Sequence, residues 1–177
     1  MKYFVPILAF IISLNLLSCD SEYTDPFDLP EELNFSGEII SCSDFGVSQL
    51  LEPGNSNVAL NISGAYPNSR ETLNLTTDFK SFSLPNDSIY CSIVVWDAPV
   101  NSYLCNDVPD LTINRVHEWN AISGKLRIMI SDLEVTEFET LYRIAIQIEN
   151  VVFEKDNEQR VIQNLLIENA GVGWFPG

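Results

Sequence analysis

Few residues in this chain have side chains suited to catalysis. Of its 177 residues, one is a histidine and four are cysteines. His117 is the only imidazole, so a Ser–His triad or a histidine-ligated metal site would depend on it. The sequence has no Gly-x-Ser-x-Gly nucleophile elbow and no glycine-rich phosphate loop. We interpret His117 as a strand or loop residue and predict no catalytic residue and no enzyme activity. An acidic glycan hydrolase is the less favoured alternative, since carboxylate pairs are abundant.

The cysteines differ in their local context. Cys91 lies between Ile89 and Ile93 in an alternating pattern, which predicts a buried, unreactive thiol. Cys42 and Cys105 lie beside polar, turn-forming residues. We predict a Cys42–Cys105 disulfide; a Cys91–Cys105 bridge and the absence of any bridge are the alternatives.

Aromatic and acidic side chains supply the candidate binding residues. Trp96, Trp119 and Tyr103 could stack against a glycan or a peptide, and Trp96 directly precedes a proline-containing loop. Placement of the tryptophans in the core is the alternative. Asp107 and Asp110 are weak candidates for a Ca²⁺ site, because their spacing differs from that of an EF-hand. A solvated acidic surface is the simpler interpretation, and no other cofactor or metal is predicted.

The composition excludes two classes of protein. With 25 Asp and Glu against 9 Lys and Arg, the formal net charge is −16. A chain this acidic is repelled by phosphate backbones, which excludes nucleic acid as a partner. Hydrophobic residues make up 46% of the chain and aromatic residues 11%, enough for a folded core rather than a disordered chain.

Residues 1–18 have the layout of a secretory signal peptide: Lys2, a short apolar run and a small residue, Ser18. Cys19 follows directly. The sequence Leu16-Leu17-Ser18-Cys19 resembles the lipobox of bacterial lipoproteins. This resemblance implies cleavage before Cys19, lipid on its thiol, and anchoring to the bacterial outer membrane. An ordinary signal peptide and a retained membrane span are the alternatives.

Residues 19–33 are predicted to form an extended, lipid-anchored tether. The segment contains two prolines, no base and six acids that repel one another (Asp20, Glu22, Asp25, Asp28, Glu31 and Glu32). Acids behind a lipidated cysteine also resemble the surface-export signals of Bacteroidota lipoproteins. Display on the cell surface and attachment to the periplasmic face therefore both stay open.

Residues 34–177 are predicted to form a single all-β domain. Apolar residues alternate with polar residues in short runs that Pro, Gly, Asn and Asp separate. This pattern predicts an antiparallel β-sandwich, Ig-like or jelly-roll-like, with about eight or nine strands and little helix. Ser123-Gly124 and Lys155–Glu158 are predicted hairpin turns. Residues 158–169 also fit a helix, but the second hairpin favours a strand.

These features predict a lipid-anchored envelope protein that is a non-catalytic binding or accessory module for a glycan or a protein partner. A structural or interaction lipoprotein without a ligand pocket is the alternative. A cluster of exposed Trp and Tyr at one end of the domain would favour the first interpretation. Buried tryptophans together with a long, uncovered edge strand would favour the second.

Overall fold

The computed structural model of the protein describes residues 27–30, 33–53, 56–65, 69–100, 104–105, 111–135 and 140–173. The predicted signal peptide and Cys19 lie outside these ranges. The elements are β1 (Ile39–Cys42), β2 (Gly46–Leu50), β3 (Val58–Gly64), α1 (Ser69–Leu73), β4 (Lys80–Ser83), β5 (Ile89–Trp96), β6 (Arg115–Val135), β7 (Thr140–Lys155) and β8 (Glu158–Gly173). Within the described ranges, no helix has the length and apolar character needed to cross a membrane.

All eight strands belong to one antiparallel sheet. Its order is β1-β2-β3-β5-β6-β7-β8, and β4 pairs with β6 beyond the end of β5. The sheet curls into a half-barrel. At one end the Gly173 N–H donates to the Ser43 carbonyl at 3.1 Å, and the Tyr142 hydroxyl donates to the Asp44 carbonyl at 3.1 Å. The predicted antiparallel all-β class is confirmed. The finer prediction of a two-sheet Ig-like or jelly-roll-like sandwich is not confirmed, because the strands form one hydrogen-bonded sheet.

The predicted hairpin at residues 155–158 is confirmed. β7 and β8 pair from Lys155–Glu158 to Leu141–Gly173, which excludes the helical alternative for residues 158–169. The two turn residues, Asp156 and Asn157, have φ values of 52° and 70°. Two consecutive positive φ angles define the type I′ turn, whose twist matches that of the flanking strands.

The predicted hairpin at Ser123-Gly124 is wrong. β6 continues through this dipeptide as one strand of 21 residues, with register shifts on both sides of Ser123. Gly124 has a φ of 114°. A Cβ at this position would lie 2.5 Å from the Val151 Cα, so glycine allows both the dihedral angle and the close approach of β7. Glycine therefore marks a bulge here rather than a turn.

A line of bulges crosses the long strands at this level. In β7, Asn150 has a φ of 49°. Before it, the buried residues have even numbers (Ile144, Ile146 and Ile148), and after it they have odd numbers (Val151 and Phe153). β6 makes the same change between Trp119 and Leu126. Each bulge adds twist and bend, so the line lets the sheet curl while its apolar residues still face the core.

The core has two parts. The larger part fills the concave side of the sheet and includes Leu60, Ile93, Ile128, Ile146 and Phe153. The smaller part lies on the opposite face of β2, β3 and β5, where Leu104 and Ile113 pack against it, and consists of Leu50, Ala59, Val94, Trp96 and Val100. Residues 91–96 of β5 are consequently all buried, because the sheet is covered on both faces there.

Part of the predicted tether packs on the domain. Leu29 is 3% exposed and belongs to the larger core. The Arg160 guanidinium lies 3.5 Å from the Asp28 carboxylate and donates to the Leu29 carbonyl at 3.4 Å. Phe27 and Leu33 also pack against the core. The sequence pattern does not predict this contact, because Leu29 is a single apolar residue among acids and prolines.

Candidate functional site

The predicted disulfide is confirmed. Cys42, at the end of β1, is bonded to Cys105 in the segment after β5, with a Cα–Cα distance of 5.6 Å. Cys91 is a buried free thiol, as predicted. Burial raises the pKa of the Cys91 thiol to about 12, so Cys91 stays protonated and unreactive at neutral pH.

Trp96 lies beneath the segment that the disulfide attaches to the sheet. Its side chain is 4% exposed and packs in the smaller core. Its backbone N–H donates to the Asn57 carbonyl at 2.8 Å, and the Asn57 side-chain amide donates to the Trp96 carbonyl at 2.9 Å. Asn114 donates to Asp97 from its backbone N–H and its side-chain amide, both at 2.8 Å. The backbone hydrogen bond, followed by that of the side chain, lowers the pKa of Asp97.

A groove of about 310 Å³ runs alongside the disulfide, and we call it the disulfide groove. Its lining includes Ser48, Asn61, Ser63, Trp96, Leu104 and Arg115. The Ser48 hydroxyl donates to the Asn61 Oδ1 at 2.7 Å. Among the described residues, the Asn61 Nδ2 has no hydrogen-bond partner. The groove therefore presents open amide donors beside an aromatic and aliphatic wall.

The floor of the groove belongs to a polar row that crosses the sheet. Ser48 pairs with Asn61, Asn61 with Ser92, and Ser92 with Asn120. Residues that pair directly across strands share one face of a sheet, so these four side chains form a continuous row. Sequence reasoning missed this row because none of its members stands out until the strand register is known.

Tyr90 borders the groove next to Ser63, its register partner in β3. The ring is 49% exposed. Its hydroxyl donates to the Glu118 carboxylate and lies 2.7 Å from the Asn120 Oδ1. Glu118 in turn accepts from Arg115 at 2.8 Å. Burial of the hydroxyl and then its hydrogen bond to Glu118 raise the pKa of Tyr90.

Trp119 contributes to no exposed aromatic surface. It is 1% exposed, and its Nε1 has no hydrogen-bond partner among the described residues. The Arg160 guanidinium lies 4.8 Å from the ring centroid and the Lys155 Nζ lies 5.8 Å away. Both Trp96 and Trp119 are therefore core residues with little exposed ring surface, and their contact with a ligand stays a prediction. Trp96 also lines the disulfide groove. Tyr103 lies outside the described residues.

The other sequence candidates provide no site in the described part of the chain. Asp107 and Asp110, the weak Ca²⁺ candidates, lie outside it. Within it, no group of three His, Cys, Asp or Glu residues could hold a metal ion. His117 is half-buried in β6 and pairs with Val95.

The edge of the sheet at β8 carries a second groove. It has a volume of about 600 Å³ and is lined by Leu33 and by residues 159–164 of β8; we call it the β8 groove. Within the described ranges, β8 has one strand neighbour, β7. Val161 is 46% exposed and Leu166 is 51% exposed. The far end of β8 is joined to the β1–β2 turn, since the Gly173 N–H donates to the Ser43 carbonyl at 3.1 Å. The part of its edge along the β8 groove, residues 159–164, has no paired strand beside it within the described ranges.

Comparison of the chain with known protein families, with characterised proteins and with solved structures finds no match.

Proposed function

We propose that this protein is a lipid-anchored, non-catalytic interaction module of the bacterial cell envelope, which binds an extended, basic segment of a partner protein along the edge of β8. The anchor in this proposal is a lipid on Cys19, and its support is the resemblance of Leu16–Cys19 to a lipobox. Two acyl chains hold a protein on a membrane stably, whereas one gives marginal binding. The proposed location is the outer membrane, on its surface or periplasmic face.

The observation that carries the proposal is the unpaired edge of β8. Lys155 and Glu158 flank a two-residue turn and therefore form a hydrogen-bonded pair. Alternation along an antiparallel pair then directs the backbone N–H and C=O groups of Gln159, Val161 and Gln163 away from β7. These residues line the β8 groove. An extended segment placed there would gain main-chain hydrogen bonds, as in other cases of β-strand addition.

The charge near this edge supports a basic partner. Asp156, Glu158 and Glu168 are exposed. Of the bases near β8, Lys155 pairs with Asp156 at 3.2 Å and Arg160 with Asp28 at 3.5 Å. Arg143 donates to the Asn169 carbonyl at 3.2 Å, away from the β8 groove. Together with the net charge of −16, this leaves a negative potential that attracts a segment rich in Lys or Arg.

The placement of the tryptophans favours this interpretation over binding through an exposed aromatic cluster. Trp96 and Trp119 are buried, and the edge of β8 along the β8 groove has no paired strand within the described ranges. We also propose that the curled sheet encloses its larger core in the manner of a sandwich. The bulge line supports this proposal, since bulges bend strands across the corners of two-layer β-structures.

Photo-crosslinking in intact cells tests the edge. A photo-reactive amino acid at position 166 should form an adduct with one envelope protein. Gln163→Pro should abolish that adduct, because it removes an outward N–H and leaves the ladder to β7 intact. Gln163→Ala is the matched control and should keep the adduct. Val161→Pro repeats the test at a second outward position. An adduct that persists in both proline variants, or the absence of any adduct, contradicts the proposal.

The anchor requires its own experiment. Cys19→Ala should release the protein from the membrane fraction into the soluble envelope fraction. Retention of this variant in the membrane fraction contradicts lipidation at Cys19. Protease treatment of intact cells then distinguishes the two faces: digestion indicates surface display, and complete protection indicates the periplasmic face.

A further inference from the structure

We propose that the disulfide groove binds a neutral saccharide. This site is separate from the β8 groove, and the inference does not depend on the function proposed above. It rests on three features of the groove: open hydrogen-bond donors on its floor, balanced charge at its rim, and a rigid apolar wall.

The floor supplies directional polar groups. The Asn61 Oδ1 is occupied by the Ser48 hydroxyl, which fixes the orientation of the amide and leaves its two N–H donors open within the described part of the chain. Ser63 adds a hydroxyl, and hydroxyls both donate and accept. Neutral amides and hydroxyls in a row are suited to the alternating donors and acceptors of a sugar.

The charges at the rim favour a neutral ligand. Arg115 is the basic residue of the groove, and its guanidinium is 2.8 Å from the Glu118 carboxylate. An anionic ligand would compete with Glu118 and would approach a chain of net charge −16. A cationic ligand would face the guanidinium and the amide donors of Asn61. A neutral polyhydroxyl ligand avoids both penalties.

The wall supplies the apolar contact that a sugar ring also needs. Leu104 and the Cys42–Cys105 bridge line the groove together with the small exposed part of Trp96, whose side chain is 4% exposed. Tyr90, with a half-exposed ring, stands next to Ser63 at the border. The volume of about 310 Å³ lies at the lower end of the range for ligand pockets, which fits one or two sugar rings.

The groove is also held in a fixed shape. The disulfide attaches the segment that carries Leu104 to the end of β1. The Leu104 N–H donates to the Val100 carbonyl at 3.1 Å, and the Val100 N–H donates to the Ser56 carbonyl at 3.2 Å. A site that is already ordered loses less conformational entropy when a ligand binds.

The test uses the full chain in detergent micelles with ¹⁵N labelling, and a panel of neutral mono- and disaccharides built from glucose, galactose, mannose and N-acetylglucosamine. At least one sugar should shift the NMR signals of the Asn61 side-chain amide and of the Trp96 indole. Asn61→Asp keeps the acceptor for Ser48 but removes both N–H donors, so it should weaken binding about tenfold or more. Asn164→Asp makes the same change at an exposed position of β8, outside the lining of the disulfide groove, and should bind within about twofold of the parent.

Three results would overturn the inference. The first is that no sugar of the panel shifts either signal at about 10 mM, a concentration high enough to detect weak binding. The second is equal weakening by the two aspartate variants. The third is tighter binding of the matching uronic acid or amino sugar than of the neutral sugar. Ser63→Ala gives an independent check, since loss of its hydroxyl should also reduce the affinity.

Discussion

Replacing Leu29 by alanine removes a buried side chain from a segment that the sequence assigns to the tether. Leu29 is 3% exposed and packs in the larger core. Its carbonyl accepts from Arg160, and the neighbouring Asp28 lies in an ion pair with the same guanidinium. The substitution therefore measures how much the N-terminal segment contributes to the stability of the domain.

The expected magnitude follows from the burial. Leu→Ala removes three carbon atoms with their hydrogens, and burial of each contributes about 0.8 kcal/mol. The loss is therefore about 2.4 kcal/mol before the cost of any cavity is added. Leu→Ala changes in rigid cores cost about 2.7–5 kcal/mol, but a segment at the chain surface can relax into the space. The Asp28 side chain is 50% exposed, so its ion pair adds little. We expect the free energy of unfolding to fall by about 2–3 kcal/mol.

Equilibrium urea denaturation, followed by tryptophan fluorescence, provides the measurement. Leu111→Ala is the control, because Leu111 is 88% exposed and its truncation should change the free energy of unfolding by less than about 0.5 kcal/mol. A value for Leu29→Ala as small as that of the control would refute the reasoning. Residues 27–30 would then belong to the tether in solution.

The remaining predictions concern the bulge and the cysteines. Gly124→Ala places a Cβ 2.5 Å from the Val151 Cα at a φ of 114° and should cost at least about 2 kcal/mol in urea denaturation. Gly171→Ala is the control and should cost little, because its Cβ would lie 4.0 Å from the Arg143 guanidinium. Replacing Cys42 and Cys105 by serine should cost up to about 4 kcal/mol, given their separation of 63 residues. Cys91 should resist iodoacetamide at pH 8 until the protein is unfolded. Because its pKa rises from 9.0 to about 12 on folding, stability should fall between these pH values, and Cys91→Ser should reduce that fall; an unchanged slope contradicts the assignment.

Local patterns were sufficient for the features whose determinants are local. Alternation over Tyr142–Ile148 predicts a strand buried on one face, and Asp156-Asn157 between two such runs predicts the hairpin. The Cys42–Cys105 bridge followed from the turn-like surroundings of both cysteines and from the apolar surroundings of Cys91.

Features that depend on pairing between residues far apart in the sequence could not be predicted from local patterns. Ser123-Gly124 has the composition of a tight turn, and only the approach of Val151 in β7 makes it a bulge. Trp119 packs against Arg160, which lies in another strand. Asn61 becomes a candidate binding residue only once the register places it between Ser48 and Ser92.

The half-barrel is closed at one end by contacts between early and late parts of the chain. The Ser43 carbonyl accepts from the Gly173 N–H, and the Asp44 carbonyl accepts from the Tyr142 hydroxyl. Contacts between residues so far apart in sequence form slowly, because a long loop must close first. The domain therefore cannot complete its native structure during synthesis until β8 has emerged.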